Sequence, residues 1–284
     1  MGRSIENDPK MTMNSSDKLP VFFIPHGGGP WNVMDDSMGD PEGYGKLTEY
    51  LKKLGQEFGQ KARSLLIISA HWEEPLPTVH FGKNPGMYYD YYGFPEFTYH
   101  IRWDAPGNPD LAADVDQLLR ASGFKTAHET GRGYDHGTFV PMMVAFPEAN
   151  IPTVQLSLVQ GLDPAIHVAI GKALEPLRSE DVLIICSGMS YHNMRGFMAG
   201  GNYVGRVSKQ FDDWLTAAIE TKDIEKRNEL LIHWKDAPAA LESHPRSEHL
   251  VPLFVAAGAA GEDFGYKNFS GTIMGATVSS FKFG

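Results

Sequence analysis

The sequence predicts a three-layer α/β fold: one domain, a mixed central sheet, and helices on both faces. Three observations predict it. Short β-rich apolar runs alternate with amphipathic segments along the chain. Several of those runs are apolar throughout, as in strands covered on both sides. No internal repeat or long linker divides the 284 residues, and a 42% hydrophobic content is enough for one large core.

The elements follow in order. Val21–Pro25 (VFFIP) reads as a strand. Tyr44–Phe58 reads as a helix, with Leu47, Leu51, Leu54 and Phe58 at near-helical spacing. Ser64–Ala70 (SLLIISA) is a buried strand, and Asp110–Ser122 a helix with Leu111, Val115, Leu118 and Leu119 on one face. Ile151–Val159 is a strand, Pro164–Leu177 a helix, and Asp181–Ser187 an apolar strand. Val204–Thr221 and Glu248–Ala260 read as helices, and Thr272–Phe283 alternates like a strand. Residues 1–18 carry little to bury and are expected to form a disordered tail, leaving 19–284 as the domain.

Charge and composition exclude several classes. The formal charge of −10 argues against nucleic acid or an anionic membrane as partner. No apolar stretch approaches the roughly 20 residues of a membrane span, and the leading residues lack a signal peptide's apolar region. The one cysteine, Cys186, lies in an apolar run and reads as an inert core thiol. A cytoplasmic protein is the expectation.

The eleven histidines carry the functional signal. His26 follows VFFIP directly, His71 follows SLLIISA, and His192 comes soon after VLIICSG. Ligands of α/β sheets gather beyond the carboxyl ends of strands, so these three imidazoles can meet although they are far apart in the chain. His136 sits in a Gly133-Tyr-Asp-His-Gly137 turn that opens an apolar run. His249 sits at the start of a helical stretch with Ser247 as candidate N-cap. A single histidine after a strand is more often structural than a ligand; three in the same relation to three strands argue for a shared site. His80, His100, His128, His167 and His233 lack such context and read as surface or core residues. Met142 and Met143 read as core. Met87–Phe94 (MYYDYYGF) reads either as a packed aromatic loop or as a lid. Gly27–Gly29 permit close backbone approach but have neither the lysine nor the spacing of a phosphate loop.

Seven segments resemble, in order, the class III extradiol ring-cleaving dioxygenases of the LigB superfamily, and within it the 4,5-DOPA dioxygenase extradiol group. They are Pro25-His-Gly-Gly-Gly-Pro30, Ser69-Ala-His-Trp72, Tyr92-Gly-Phe-Pro95, Tyr134-Asp-His-Gly137, Pro152–Ser157, Ser187-Gly with Tyr191-His-Asn193, and Glu248–Leu253. One departure is visible: many relatives carry His-Gly-Ser-Pro where this chain has His-Gly-Gly-Gly-Pro. The extra glycine bears on the substrate more than on the metal.

The resemblance implies a catechol as substrate, O₂ as co-substrate, and a semialdehyde acid as product. It implies that His26 and His71 are metal ligands, that His192 lies at the metal or beside it as base, and that His249 or Glu248 completes the shell. The presence of His249 favours a histidine-only shell of His26, His71, His192 and His249, with His136 as an acid/base group beside it. Fe(II) is the metal expected for activity, because it can pass electrons to O₂; Zn²⁺ would fit the same ligands. Tyr91, Tyr92 and Phe94 are candidates to stack on the ring. Arg132, Arg195 and Arg246 are candidates to pair with a substrate carboxylate, with Tyr92 and Arg195 taken as the substrate-binding pair. Two other readings use the same residues: a zinc hydrolase with metal-bound water as nucleophile, and a non-enzymatic binding protein like the Memo-type relatives. Oligomeric state stays open.

Overall fold

Apolar runs that cannot face water must pair and be covered, and they do so here in an eight-stranded sheet of order β4-β3-β5-β2-β6-β1-β8-β7. The structure is a computed structural model that describes residues 18–199 and 201–284. The expected tail, apart from Lys18, lies outside the described residues.

The strands are β1 (Val21–Pro25), β2 (Ser64–Glu74), β3 (Thr78–His80), β4 (Ala127–Glu129), β5 (Thr153–Val159), β6 (Val182–Gly188), β7 (Gly265–Ile273) and β8 (Ala276–Phe283). The central four, β5-β2-β6-β1, are mutually parallel. β8 runs antiparallel to β1, and β7 to β8. The sheet is therefore mixed, as expected.

Alternate residues of the central strands feed two cores. Val21, Phe23, Leu66, Ile68, Ile184 and Cys186 pack on one face, against α2 (Pro109–Ala121), α4 (Pro164–Leu174), α7 (Ile224–Ile232) and α9 (Val251–Ala259). Phe22, Ile24, Leu65, Ile67, Leu183 and Ile185 pack on the other, against α1 (Pro41–Phe58) and α3 (His136–Ala145). α6 (Gly201–Ile219) contributes Phe211 and Leu215 to the first core and Val204 and Val207 to the second. Two short helices, α5 (Met194–Ala199) and α8 (Ala240–Ser243), complete the set. Among the described residues no helix is long and apolar enough to cross a membrane.

Several expected boundaries move, each for a local reason. α1 starts at Pro41 rather than Tyr44, because the Asp40 side chain accepts from Gly43 N (2.9 Å) and Pro41 suits the first turn. α4 ends at Leu174, and a 3₁₀ segment, Glu175–Glu180, takes over at Pro176. α9 starts at Val251 rather than Glu248, and Ser247 caps nothing with its side chain; its carbonyl accepts from Leu250 and Val251 instead. Thr272–Phe283 is not one strand: it holds the end of β7, a turn at Met274-Gly275 and β8. Most consequentially, β2 runs through His71 to Glu74. Its pairing with β6 nevertheless ends at Ser69, and its register with β5 shifts between Ile68 and Glu73. His71 thus lies where the strand leaves the ladder.

α9 also fixes the site, since His249 lies two residues before it. Every residue of α9 is buried, and it is held against α4 by close backbone approach. A Cβ added to Gly171 would come within 2.1 Å of the Val255 carbonyl oxygen, and one on Gly258 within 2.1 Å of that of Val168. Neither partner is a flexible side chain, so a side chain at either glycine must push the helices apart. Gly258→Val should cost about 1–3 kcal/mol or more of stability, read as a lower urea midpoint at unchanged m-value; an unchanged midpoint would refute this account of the helix pair.

Candidate metal centre

β2, β6 and β1 are neighbours, so their carboxyl ends lie side by side. Ser69 pairs with Ser187, and Pro25 with Gly188. His26 continues that ladder by one bond, its N–H donating to the Gly188 carbonyl at 3.1 Å. His71 rises from the neighbouring strand end. The loop from α8 to α9 brings in His249, whose carbonyl accepts from Met189 N at 2.9 Å and so is pinned to the end of β6.

The three rings converge. Their centroids form a nearly equilateral triangle: 4.9 Å for His26–His71, 4.8 Å for His71–His249 and 5.1 Å for His26–His249. His71 Nε2 lies 3.1 Å from His26 Nε2 and 3.2 Å from His249 Nε2. His136 stands beside them, its ring centroid 3.9 Å from that of His71. His192 stacks on His249, with centroids 3.4 Å apart and planes at 17°. Two groups have donor atoms close enough together to share one ion: His26 with His71 and His136, and His192 with Glu248 and His249.

Hydrogen bonds on the far side of each ring decide what the near side presents. The Ser187 hydroxyl donates to the Gly137 carbonyl, so its oxygen must accept from His26 Nδ1 at 3.0 Å. His26 therefore carries its proton on Nδ1 and a bare lone pair on Nε2. Carboxylates only accept. Glu248 Oε1 faces His249 Nδ1 at 3.1 Å and His192 Nδ1 at 3.3 Å. Asp90 Oδ1 faces His136 Nδ1 at 2.8 Å, and its Oδ2 lies 3.4 Å from His71 Nδ1. All five histidines thus have Nδ1 turned to an oxygen, the arrangement that fixes metal-binding imidazoles in one tautomer.

Burial, reinforced by the neighbouring histidines, pushes His26 and His249 well below the usual histidine pKa and His71 down to about 3. Burial pushes the Glu248 carboxyl up, but the His192 hydrogen bond and the charges of His192 and Arg246 outweigh it and hold it below the usual range. The result is three neutral imidazoles with lone pairs facing one another across 3.1–3.2 Å, a contact that no proton bridges. Two nitrogens at about 2.0–2.1 Å from one cation stand that far apart. The donor set fits a divalent metal.

His71, His136, His192 and His249 edge a cavity of about 410 Å³. His26 is fully buried behind them. Tyr91, Phe94 and Tyr92 line the same cavity, so the Met87–Phe94 segment is a loop that walls the site; Tyr92 stands at its mouth, 91% exposed. Arg195 lines an adjoining recess with Arg246 and Glu248, outside the histidine cavity. Arg246 is itself engaged by Glu73. Arg132 lies deeper and donates to the His71 carbonyl at 3.0 Å and to Asp135 at 3.2 Å.

Sequence reasoning missed the residues that aim the histidines. Asp90 orients His136, and its one signal was an acid inside an aromatic stretch. Ser187 orders His26. Asp135, fully buried, accepts from Ser69 (2.6 Å) and Gln155 (3.0 Å) and ties β2, β5 and α3 together beneath the site. His244, also unread in the sequence, is buried against Phe211 and Trp234 with Nε2 on the Ser190 carbonyl. Burial drives its pKa down to about 3.

The family model described as the catalytic LigB subunit of aromatic ring-opening dioxygenase matches residues 20–281. A 4,5-DOPA dioxygenase extradiol of Beta vulgaris is 38% identical over 277 residues, covering 95% of this chain and 99% of the relative. A dioxygenase of Hapsidospora irregularis is 34% identical, covering 93% and 85%. A crystal structure of an uncharacterized protein from Escherichia coli K12 superposes with a TM-score of 0.76 at 25% identity, covering 94% of this chain and 100% of that one. The chain therefore belongs to the LigB family of aromatic ring-opening dioxygenases and is an enzyme of the extradiol ring-cleaving class.

Proposed function

We propose that the enzyme opens the ring of a 3,4-dihydroxyphenyl compound with O₂, using Fe(II) held by Nε2 of His26, His71 and His249. The observation that carries this is the convergence of those three unprotonated nitrogens at the inner end of a cavity edged by two further oriented histidines. When bound, Fe(II) supplies open positions for the two catechol oxygens and O₂ and a path for electrons from ring to O₂. Both oxygen atoms enter the product. The ring bond beside the diol breaks, leaving one carbon as a carboxylate and the other as an aldehyde, so no outside reductant is needed.

His192 is assigned as the base rather than as a fourth ligand. A ring stacked nearly parallel on His249 at 3.4 Å cannot aim its in-plane lone pair at the same point as the ring beneath it. Glu248 holds its Nδ1 proton, which leaves Nε2 to take the second catechol proton and lets the carboxylate steady the imidazolium that results. The same group can return that proton when the O–O bond breaks. His136, held by Asp90 through Nδ1 and through its own N–H at 2.9 Å, is assigned to hydrogen-bond the oxygen side of the reaction. Tyr91 meets His136 edge-on with centroids 5.9 Å apart and helps to keep water from that side.

Oxygen-free purification, reconstitution with Fe(II), and addition of L-DOPA, caffeate or protocatechuate with air should give a yellow ring-opened product. Absence of turnover on every catechol with iron bound would overturn the proposal. His249→Ala should lose stoichiometric metal. His192→Gln and His136→Ala should keep it while kcat falls by about 10²–10⁴; loss of metal from either would return that histidine to the ligand set. The pH behaviour follows from burial. In the metal-free protein the folded state holds His26, His71 and His249 neutral, while the unfolded chain binds protons on them below about pH 6.5. The unfolded state thus gains protons first. Stability should be full above that pH and fall progressively as the solution is acidified below it; equal urea midpoints at about pH 7.5 and about pH 5.5 would contradict this.

A further inference from the structure

We infer that the preferred substrate is a catechol carrying an uncharged, apolar ring substituent, and that Phe94, seated on Gly29, selects it. This rests on the ring-cleaving reading above. None of the residues lining the histidine cavity is Asp, Glu, Lys or Arg. Beyond the histidines its walls are Phe94, Tyr91, Phe197, Ile273 and the glycine loop, with several methionines such as Met189. Both tyrosine hydroxyls on the inner walls are engaged by backbone, one as donor and one as acceptor. Tyr91 donates to the Thr98 carbonyl, and Tyr44 accepts from Gly28 N at 3.2 Å. At about 410 Å³ the cavity is larger than a bare catechol ring needs and falls in the roughly 300–1,000 Å³ range of pockets that enclose a larger ligand.

An amino-acid tail would enter this space with an ammonium and a carboxylate and find no Asp, Glu, Lys or Arg on its walls for either. Burying such groups unpaired is heavily unfavourable. An alkyl or aryl tail gains from the same walls, and unbranched methionines adapt to its shape. The adjoining recess beyond His192 and Met194 holds Arg195 and Arg246 together with Glu248, and Arg246 there is already taken by Glu73.

The glycine loop explains how the wall is made. Gly29 has φ +48, and a Cβ there would come within 2.6 Å of Phe94 Cζ. Only a bare backbone at this position lets the ring lie on the loop, where Tyr91 braces it edge-on at 5.4 Å. A side chain at residue 29 would lift Phe94 and change the shape of the cavity.

The test compares 4-butylcatechol with L-DOPA and 3,4-dihydroxyphenylpropionate on the iron-loaded enzyme, and measures binding of the same three by calorimetry without O₂. The expected result is kcat/KM at least about tenfold higher for 4-butylcatechol, mostly through KM, and a correspondingly lower Kd. Phe94→Leu and, independently, Gly29→Ala should shrink that preference to about threefold or less, with the anaerobic Kd ratio of 4-butylcatechol to L-DOPA shrinking in parallel. Equal or better use of the charged catechols, or loss of their turnover alone in Arg195→Ala, would overturn the inference. Cleavage of no catechol would instead refute the ring-opening reading, and the anaerobic Kd ratio would still report whether the cavity prefers the apolar tail.

Discussion

Three imidazole lone pairs held face to face in a buried space are the constraint on which the rest of this structure depends. Without a cation the arrangement is electrostatically unfavourable, and nothing in the three rings can relieve it by sharing a proton, because each Nδ1 is turned to an oxygen elsewhere. The fold must therefore hold His26, His71 and His249 in place against their mutual repulsion. Burial helps by keeping them neutral: charging any one would add repulsion to desolvation.

The scaffold meets this demand with elements that cannot move separately. β2, β6 and β1 are joined by parallel ladders that end together, so the backbones carrying His26 and His71 are locked two strands apart. Asp135 ties β2 and β5 to the start of α3, the helix that begins with His136. Backbone contact between α4 and α9 fixes the helix that follows His249. Two histidines stand outside the triangle, His136 beside Asp90 and His192 beside Glu248, and these are the pair to which proton handling is assigned in the proposal above.

Much of the fold was legible because the apolar runs that built strands were continuous. β1, β2, β5 and β6 and the helices α1, α2, α4 and α6 were found within a few residues, since buried elements of that length leave an unambiguous period. The short strands β3 and β4 were missed: three residues of TVH or AHE hold no period at all. The α4 end and the α9 start were misjudged because their boundaries depend on a 3₁₀ turn and on backbone carbonyl capping, which side-chain identity does not encode. Thr272–Phe283 read as one strand because the turn at Met274-Gly275 interrupts the alternation by only two residues.

The sequence by itself determined the architecture, the five histidines that gather at the sheet edge, and the family, because each of these is written in local runs: apolar periods, strand-end positions, and short motifs in order. Only the tertiary structure decided how those histidines divide into a converging trio and two flanking rings. It alone showed that Asp90, Ser187 and Glu248 aim them, that Arg195 stands outside the cavity, and that Gly29 seats Phe94. These are matters of direction and distance between residues up to 223 positions apart, from His26 to His249. A one-dimensional pattern records which groups are present, whereas their mutual orientation exists only once the chain is packed.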